Sequence, residues 1–98
     1  MVRYAVRPDQ VGENERHVKA VFAELDRDRP VGIRYATFKL GDGVSFVHIA
    51  SVETTDGSNP LLALDAFKRF TGTIKERCVE PPVTTELDEV GSYLLLGG

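Results

Sequence analysis

The stretch "GIRYATFKLGDGVSFVHIASVE", residues 32–53, contains two runs of alternating residues separated by Gly-Asp-Gly. Asp-Gly is the favoured dipeptide of a two-residue type I′ hairpin turn. If Asp42 and Gly43 form that turn, the strand partners are Thr37 with His48, Ala36 with Ile49 and Phe38 with Val47. A change of one residue in the loop would exchange these partners. The stretch therefore predicts an antiparallel hairpin with a defined register.

Neither face of this predicted hairpin is polar. One face holds Ala36, Phe38, Leu40, Val47 and Ile49, and the other holds Ile33, Tyr35, Thr37, Phe46, His48, Ala50 and Val52. An antiparallel sheet with one face in water shows a clean alternation of apolar and polar residues. Leaving large apolar side chains in water forgoes about 1.5–3 kcal/mol for each. Both faces are therefore expected to be covered.

The residues before the hairpin predict a strand and a helix. "VRYAVR", residues 2–7, alternates Val2, Tyr4 and Val6 with other residues, as a short strand does. In residues 12–29 the apolar positions recur at helical spacing. These positions are Val18, Val21, Phe22 and Leu25. Pro30 ends the predicted helix.

The residues after the hairpin predict a second helix and a last strand. Asn59 is placed to cap a helix that has Pro60 at its first position. Asp65 is a candidate cap for a longer helical segment, which ends near residues 80–82. The inner stripe of this segment holds Phe67, Phe70, Ile74 and Cys78. Residues 83–96, "VTTELDEVGSYLLL", are predicted to be extended.

The predicted order is βαββαβ, which indicates an α+β fold of the ferredoxin-like type in one domain, residues 1–98. Its antiparallel four-stranded sheet carries both helices on one face. With 98 residues the core is modest, and oligomerisation is a common remedy. The other sheet face needs a cover, and a second copy of the chain supplies one. The sequence therefore predicts a homodimeric α/β barrel to which the C-terminal segment, residues 83–96, contributes.

RNA is a second candidate cover for the open face. The RNA-recognition consensus K/R-G-F/Y-G/A-F-V-x-F/Y matches the chain at Gly43, Phe46 and Val47. It fails at Asp42, where the consensus has a basic residue, and at Val44 and Ile49, where the consensus has aromatic residues. The net charge of −3 also opposes binding to a phosphate backbone. We therefore expect no nucleic-acid partner.

Composition also bounds the cellular setting. One cysteine cannot form an internal disulfide, which favours a reducing cytoplasm. The first ten residues lack the apolar core of a signal peptide, and no apolar run approaches the length that spans a membrane. The expected location is the cytoplasm, with no membrane partner.

With this element order, the chain resembles the antibiotic-biosynthesis-monooxygenase-like group of the dimeric α/β-barrel superfamily. The resemblance also rests on Val52-Glu53, followed by a loop and "NPLLALDAFKRF", residues 59–70. Glu53 matches an acidic residue that members often carry at this strand end. Thr55 stands where members have an aromatic residue, and residues 61–70 contain no histidine.

The resemblance implies several possible activities. The superfamily includes haem-degrading oxygenases, cofactor-independent oxygenases of phenolic or quinol substrates, and members with no established activity. Because the chain has no tryptophan and no histidine in the second helix, it does not match the haem-degrading members. We therefore expect no cofactor. Its two histidines, His17 and His48, are far apart and belong to no dense ligand cluster, so no metal site is expected either.

His48 and Tyr35 are the candidate catalytic residues. A neutral His48 imidazole could accept the proton of a phenolic substrate, giving an electron-rich phenolate. Tyr35, on the same face, could orient a substrate oxygen, and Arg34 could neutralise the phenolate. The predicted lining of an aromatic-walled pocket for a small aromatic ligand is Phe22, Phe67 and Phe70, together with Arg34.

A non-catalytic alternative stays open for the same residues. His48 could simply be hydrogen-bonded to Thr37 or to a partner subunit, and Tyr35 could pack in the core with its hydroxyl bonded. The chain would then be a dimer that binds a small molecule or has a structural role. A cavity onto which His48 and Tyr35 open favours the enzyme. A filled core around both side chains favours the alternative.

Overall fold

A computed structural model of the chain describes residues 1–93. The strands are β1, Val2–Val6; β2, Ile33–Lys39; β3, Ser45–Val52; and β4, Cys78–Thr84. The helices are α1, Val11–Asp28, and α2, Asp65–Arg77, and short 3₁₀ turns cover Pro8–Gln10 and Pro60–Ala63. The sheet order is β2-β3-β1-β4 and all neighbours are antiparallel. The predicted ferredoxin-like fold is confirmed.

The hairpin has the predicted register but a different turn. Thr37 pairs with His48, Ala36 with Ile49 and Phe38 with Val47. The ladder closes at Leu40, whose N–H donates to the Ser45 carbonyl at 2.9 Å, so the loop has four residues. A type I′ turn needs a positive φ at two central residues. Gly43 has φ +77°, whereas Asp42 does not lie in the positive-φ region. The predicted type I′ turn is therefore wrong.

The Asp42 carboxylate explains the turn that forms instead. Its Oδ1 accepts the backbone N–H groups of Val44 at 3.0 Å and of Ser45 at 2.8 Å. These bonds hold the chain in an Asx turn, which competes with the hairpin turn that Asp-Gly alone favours. The wider loop is still centred on Asp42 and Gly43, so the strand partners are unchanged.

The predicted stripe of α1 packs into the core. Val21 is buried, and Val18 and Leu25 pack against the same cluster. The helix is followed by its C-cap, Arg29, a left-handed residue with φ 44° whose N–H donates to the Leu25 carbonyl at 2.8 Å. Pro30 follows, as predicted.

Helix α2 is capped from outside. Asn59 caps the preceding 3₁₀ turn by accepting the Leu61 N–H at 3.0 Å. Asp65 makes no side-chain cap. Instead the Glu24 carboxylate, on α1, accepts the Ala66 backbone N–H at 2.6 Å. This bond joins the two helices and satisfies one of the free N–H groups at the start of α2.

The final strand begins earlier than the sequence indicates. Cys78 is the first residue of β4 and does not belong to the helix, and the strand runs through the two prolines. This is possible because β4 is an edge strand, where a missing N–H leaves no partner unpaired. Of the predicted extended segment, residues 83 and 84 are in the strand and residues 85–93 have no regular structure. Residues 94–96 lie outside the described part.

The helices cover the sheet face that carries Tyr4, Phe46 and His48. The buried cluster between helices and sheet consists of Tyr4, Val6, Val21, Phe46, Leu61, Leu64, Ala66, Phe70 and Ile74. The opposite face, hereafter the outer face, includes the apolar residues Ala5, Ala36, Phe38, Val47, Ile49 and Val83. Within residues 1–93, no helix is long and apolar enough to cross a membrane.

Candidate functional site

His48 lies at the centre of the covered sheet face and both of its ring nitrogens are hydrogen-bonded. The Tyr35 hydroxyl lies 2.5 Å from Nδ1, and the Thr37 hydroxyl lies 3.0 Å from the same atom. The Tyr4 hydroxyl lies 2.7 Å from Nε2. Three hydroxyl groups, from the strands on either side of β3, therefore surround one imidazole that is only 5 % exposed.

A buried chain of polar groups continues from Tyr4 to the second helix. The Asn14 side-chain amide donates to the Tyr4 hydroxyl at 2.9 Å, and Arg77 Nε donates to the Asn14 carbonyl oxygen at 3.2 Å. Arg77 Nη1 also donates to the Thr73 hydroxyl at 2.6 Å. Asn14 is 0 % exposed and Arg77 is 3 % exposed. A continuous path of hydrogen bonds therefore crosses the core from α2 to β2.

Aromatic rings enclose this path. The Tyr4 ring stacks on the His48 ring with centroids 5.3 Å apart, and Phe70 lies 5.2 Å from His48. The Arg77 guanidinium lies over the Phe70 ring, 5.5 Å from its centroid, a cation–π geometry. Among the described residues, Arg77 Nη2 is the buried side-chain atom without a hydrogen-bond partner. The site therefore holds a buried positive charge at one end.

Burial governs the protonation of the site. It lowers the pKa of His48 to about 4, because a charged imidazole loses its hydration there. Burial raises the pKa of Tyr35 to about 12, although a hydrogen bond with Thr37 acts in the opposite direction. Burial also raises the pKa of Tyr4 well above its usual range. At neutral pH the imidazole and both phenols are therefore uncharged.

Tyr35 connects His48 with a surface groove of about 340 Å³, hereafter the Tyr35 groove. The groove is lined by Phe22, Leu25, Asp26, Arg29, Pro30, Ile33 and Tyr35. Phe22 stacks on the Tyr35 ring with centroids 5.2 Å apart. The register puts Ala50 and Val52 on the same sheet face, and both are exposed. The helices therefore leave this end of the sheet open, next to the far end of the polar chain.

The predicted pocket residues separate into three places. Phe22 and Tyr35 meet in the groove. Phe70 is buried in the core and Phe67 packs against it, with the two ring centroids 6.5 Å apart. Arg34 lies on the outer face, opposite Ser51, and its Nε is 3.9 Å from a Glu53 carboxylate oxygen.

Of the predicted pocket residues, Phe22 alone lines the Tyr35 groove. Neighbouring residues of a strand point to opposite faces, so Arg34 and Tyr35 cannot line the same groove from one sheet face. Phe67 and Phe70 contribute to the core behind His48 and do not line the groove.

Three members of the polar chain were not predicted from the sequence: Tyr4, Asn14 and Arg77. A signal exists for two of them. Asn14 continues the apolar stripe of α1 at the spacing 14, 18, 21 and 25, and Arg77 continues that of α2 at 70, 74 and 77. A polar residue on a buried stripe requires a hydrogen-bond partner. Nothing in the local sequence identifies which partner it is. Among residues 1–93 no group of three potential metal ligands is found.

The comparisons with known proteins agree with this architecture. A solved structure from Caulobacter crescentus CB15, described as a "putative antibiotic biosynthesis monooxygenase", matches with a TM-score of 0.66 at 22% sequence identity. The match covers 92% of this chain and 86% of that chain.

The chain has the fold of that protein. The predicted resemblance to the antibiotic-biosynthesis-monooxygenase-like group is thus confirmed at the level of the fold. No family model matches the sequence, and no curated protein matches it. The activity therefore has to be inferred from the site.

Proposed function

We propose that this protein is a homodimer in which each subunit binds a small aromatic molecule in the Tyr35 groove. The observation that carries the proposal is the groove itself, with the Phe22, Leu25 and Ile33 side chains as apolar walls and Tyr35 at the junction with the polar chain. Its volume of about 340 Å³ lies at the lower end of the range for small-molecule sites. A flat molecule of one or two aromatic rings fits this volume.

The outer face supports the dimer. Phe38 is 44 % exposed and Val83 is 61 % exposed, and both lie on the face that carries no helix. Packing two such faces against each other would remove the apolar surface from water on both partners. It would also leave the Tyr35 groove accessible, because the groove lies on the helix side of the sheet.

Calorimetry with naphthalene derivatives tests the proposed ligand class. We expect 2-acetylnaphthalene and 2-naphthol to bind with one site per chain. Phe22→Ala should weaken both, because Phe22 forms a wall of the groove and stacks on Tyr35. Leu62→Ala is the matched control, since Leu62 is 62 % exposed and lies outside the groove. Equal affinities for Phe22→Ala and the unmodified protein would exclude this groove.

A cofactor-independent monooxygenase is the second candidate. The observation that favours it is a neutral imidazole bonded directly to a groove residue, Tyr35. In this reaction a phenol would lose two hydrogen atoms and gain one oxygen atom from O₂, and the other oxygen atom would leave as water. In this role His48 would accept the phenol proton at Nδ1, which would have to be unprotonated, and Tyr35 would orient the substrate oxygen.

The cost of that proton transfer is large at this site. Moving a proton from a phenol with a pKa of about 10 to an imidazole with a pKa of about 4 is uphill by roughly 8 kcal/mol. Ligand binding makes no such demand and is therefore the first proposal. Oxygen uptake with 2-naphthol tests the enzyme. Stoichiometric uptake that is lost in a folded His48→Ala variant would support it, and uptake unchanged in that variant would remove the role of His48.

A further inference from the structure

We infer that Arg77, Asn14 and Tyr4 fix the direction of the buried hydrogen bonds, so that His48 donates to Tyr35 and the groove selects molecules with a hydrogen-bond acceptor. The inference rests on the proposed ligand site and adds to it the chemical class of the ligand. It assigns Asn14 and Tyr4 as positioning residues that act on the groove through His48.

The direction is set at the Arg77 end. A guanidinium can only donate hydrogen bonds, so the Asn14 atom that Arg77 Nε contacts at 3.2 Å must be the carbonyl oxygen. The Asn14 amide nitrogen therefore faces Tyr4 and donates to its hydroxyl oxygen at 2.9 Å. The opposite orientation of the Asn14 amide would bring two donors together in the core.

The direction then passes through Tyr4 to His48. Tyr4 is only 1 % exposed. The described polar contacts of its hydroxyl are the Asn14 side chain and His48 Nε2. Because Asn14 donates to it, the Tyr4 proton finds an acceptor only at Nε2. A buried hydroxyl proton without an acceptor would cost the desolvation of that group. His48 Nε2 is therefore the acceptor, and a neutral imidazole then carries its proton on Nδ1.

The consequence appears at Tyr35. The Nδ1–H group donates to the Tyr35 oxygen at 2.5 Å, with the Thr37 oxygen at 3.0 Å as a second acceptor. Since the Tyr35 oxygen accepts a hydrogen bond, its own proton remains for Thr37 or for a molecule in the groove. Chains of hydrogen bonds polarise each member, so this proton becomes a better donor. A carbonyl or a phenolate is the partner that it fits.

The tautomer of His48 tests the first half of the inference in the unmodified protein. Long-range ¹H–¹⁵N correlation spectra distinguish protonated from unprotonated imidazole nitrogens. We expect the proton on Nδ1 at pH 7, with His17 as the second histidine signal.

Asn14→Asp is the decisive variant, because the introduced carboxylate would accept from both Arg77 and Tyr4. The Tyr4 oxygen could then accept from His48, and the proton should move to Nε2. A proton on Nε2 in the unmodified protein would overturn the inference, as would an unchanged tautomer in a folded Asn14→Asp variant.

Ligand selectivity tests the second half. The unmodified protein should bind 2-acetylnaphthalene about three- to tenfold more tightly than naphthalene, which is the effect of one hydrogen bond. Tyr35→Phe should bring the ratio of the two affinities to about one, whereas Tyr93→Phe, at an 88 % exposed residue, should leave that ratio as it is in the unmodified protein.

The outcomes separate the two proposals. If the naphthalenes bind but the ketone has no advantage, the acceptor preference is wrong and the ligand site stands. If none of them binds, the groove is not a site for this class, and the acceptor preference fails with it, whatever the tautomer of His48.

Discussion

Tyr4 and His48 lie diagonally across two neighbouring strands and share a hydrogen bond of 2.7 Å. The direct partners in the ladder are different: Tyr4 faces Phe46, and His48 faces Val2. Diagonal neighbours on one face are within reach of aromatic side chains. This contact joins the hairpin to the first strand through polar groups inside an otherwise apolar cluster.

Removing the Tyr4 hydroxyl should destabilise the protein. Tyr4→Phe leaves the Asn14 amide and His48 Nε2 without their partner in the core, at a cost of about 1–3 kcal/mol. In a domain of this size each kcal/mol lowers the melting temperature by about 4–8 °C. Urea unfolding measures the change, with Tyr93→Phe as the exposed control. A Tyr4→Phe variant as stable as the control would contradict the role of the polar chain.

The buried imidazole should make stability depend on pH. The pKa of His48 is about 4 in the folded protein and about 6.5 in the unfolded chain, so between these values the unfolded chain binds more protons. Stability is therefore complete above pH 6.5 and falls as the pH is lowered toward 4. Between pH 6.8 and 4.8 we expect a loss of about 2 kcal/mol from this residue.

A pair of variants isolates the contribution of His48. The pKa of His17 is also lowered by burial, so His17→Gln serves as the background. Adding His48→Gln should flatten the pH dependence of the unfolding free energy over this interval. Carboxylates such as Asp42, whose pKa is lowered by hydrogen bonds from Ser45 and Val44, lose their stabilisation only at lower pH. Parallel curves for the single and double variants would rule out His48 as the source.

A charge on the outer face should separate the proposed dimer. Phe38 lies opposite Val47 on the outer face, near the turn of the hairpin. Phe38→Asp would place a carboxylate in the subunit contact, where removing its hydration is costly. Light scattering should give twice the chain mass of 10.8 kDa for the unmodified protein and a single chain mass for the variant. Val31→Asp, at an 87 % exposed position, should remain dimeric. A single chain mass for the unmodified protein at low micromolar concentration would refute the dimer.

The Glu24 cap should stabilise the packing of the two helices. Glu24→Ala removes the acceptor of the Ala66 N–H, and loss of an N-terminal cap typically costs about 1 kcal/mol. Glu24→Gln keeps an acceptor oxygen and should retain most of the stability. Arg27→Ala removes the 3.4 Å ion pair of Glu24 without touching the cap and should have a small effect, because exposed ion pairs contribute little. Thermal unfolding should show the largest loss of stability for Glu24→Ala and smaller losses for Glu24→Gln and Arg27→Ala.

The sequence by itself determined the order of the elements and the pairing within the hairpin. Both follow from local patterns: apolar residues at intervals of two or of three and four, and Asp42-Gly43 at the turn. It also identified Tyr35 and His48 as neighbours, because their separation across a hairpin is fixed once the register is known.

The tertiary structure decided which sheet face the helices cover, and therefore that His48 is buried and Arg34 is not. It also brought Asn14 to Tyr4, and Arg77 to Asn14 across 63 positions of sequence. No local sequence pattern specifies such partners, because they depend on how the two helices pack against the sheet. A polar residue on a buried stripe indicates only that a hydrogen-bond partner exists, and the packing of the whole domain determines which residue it is.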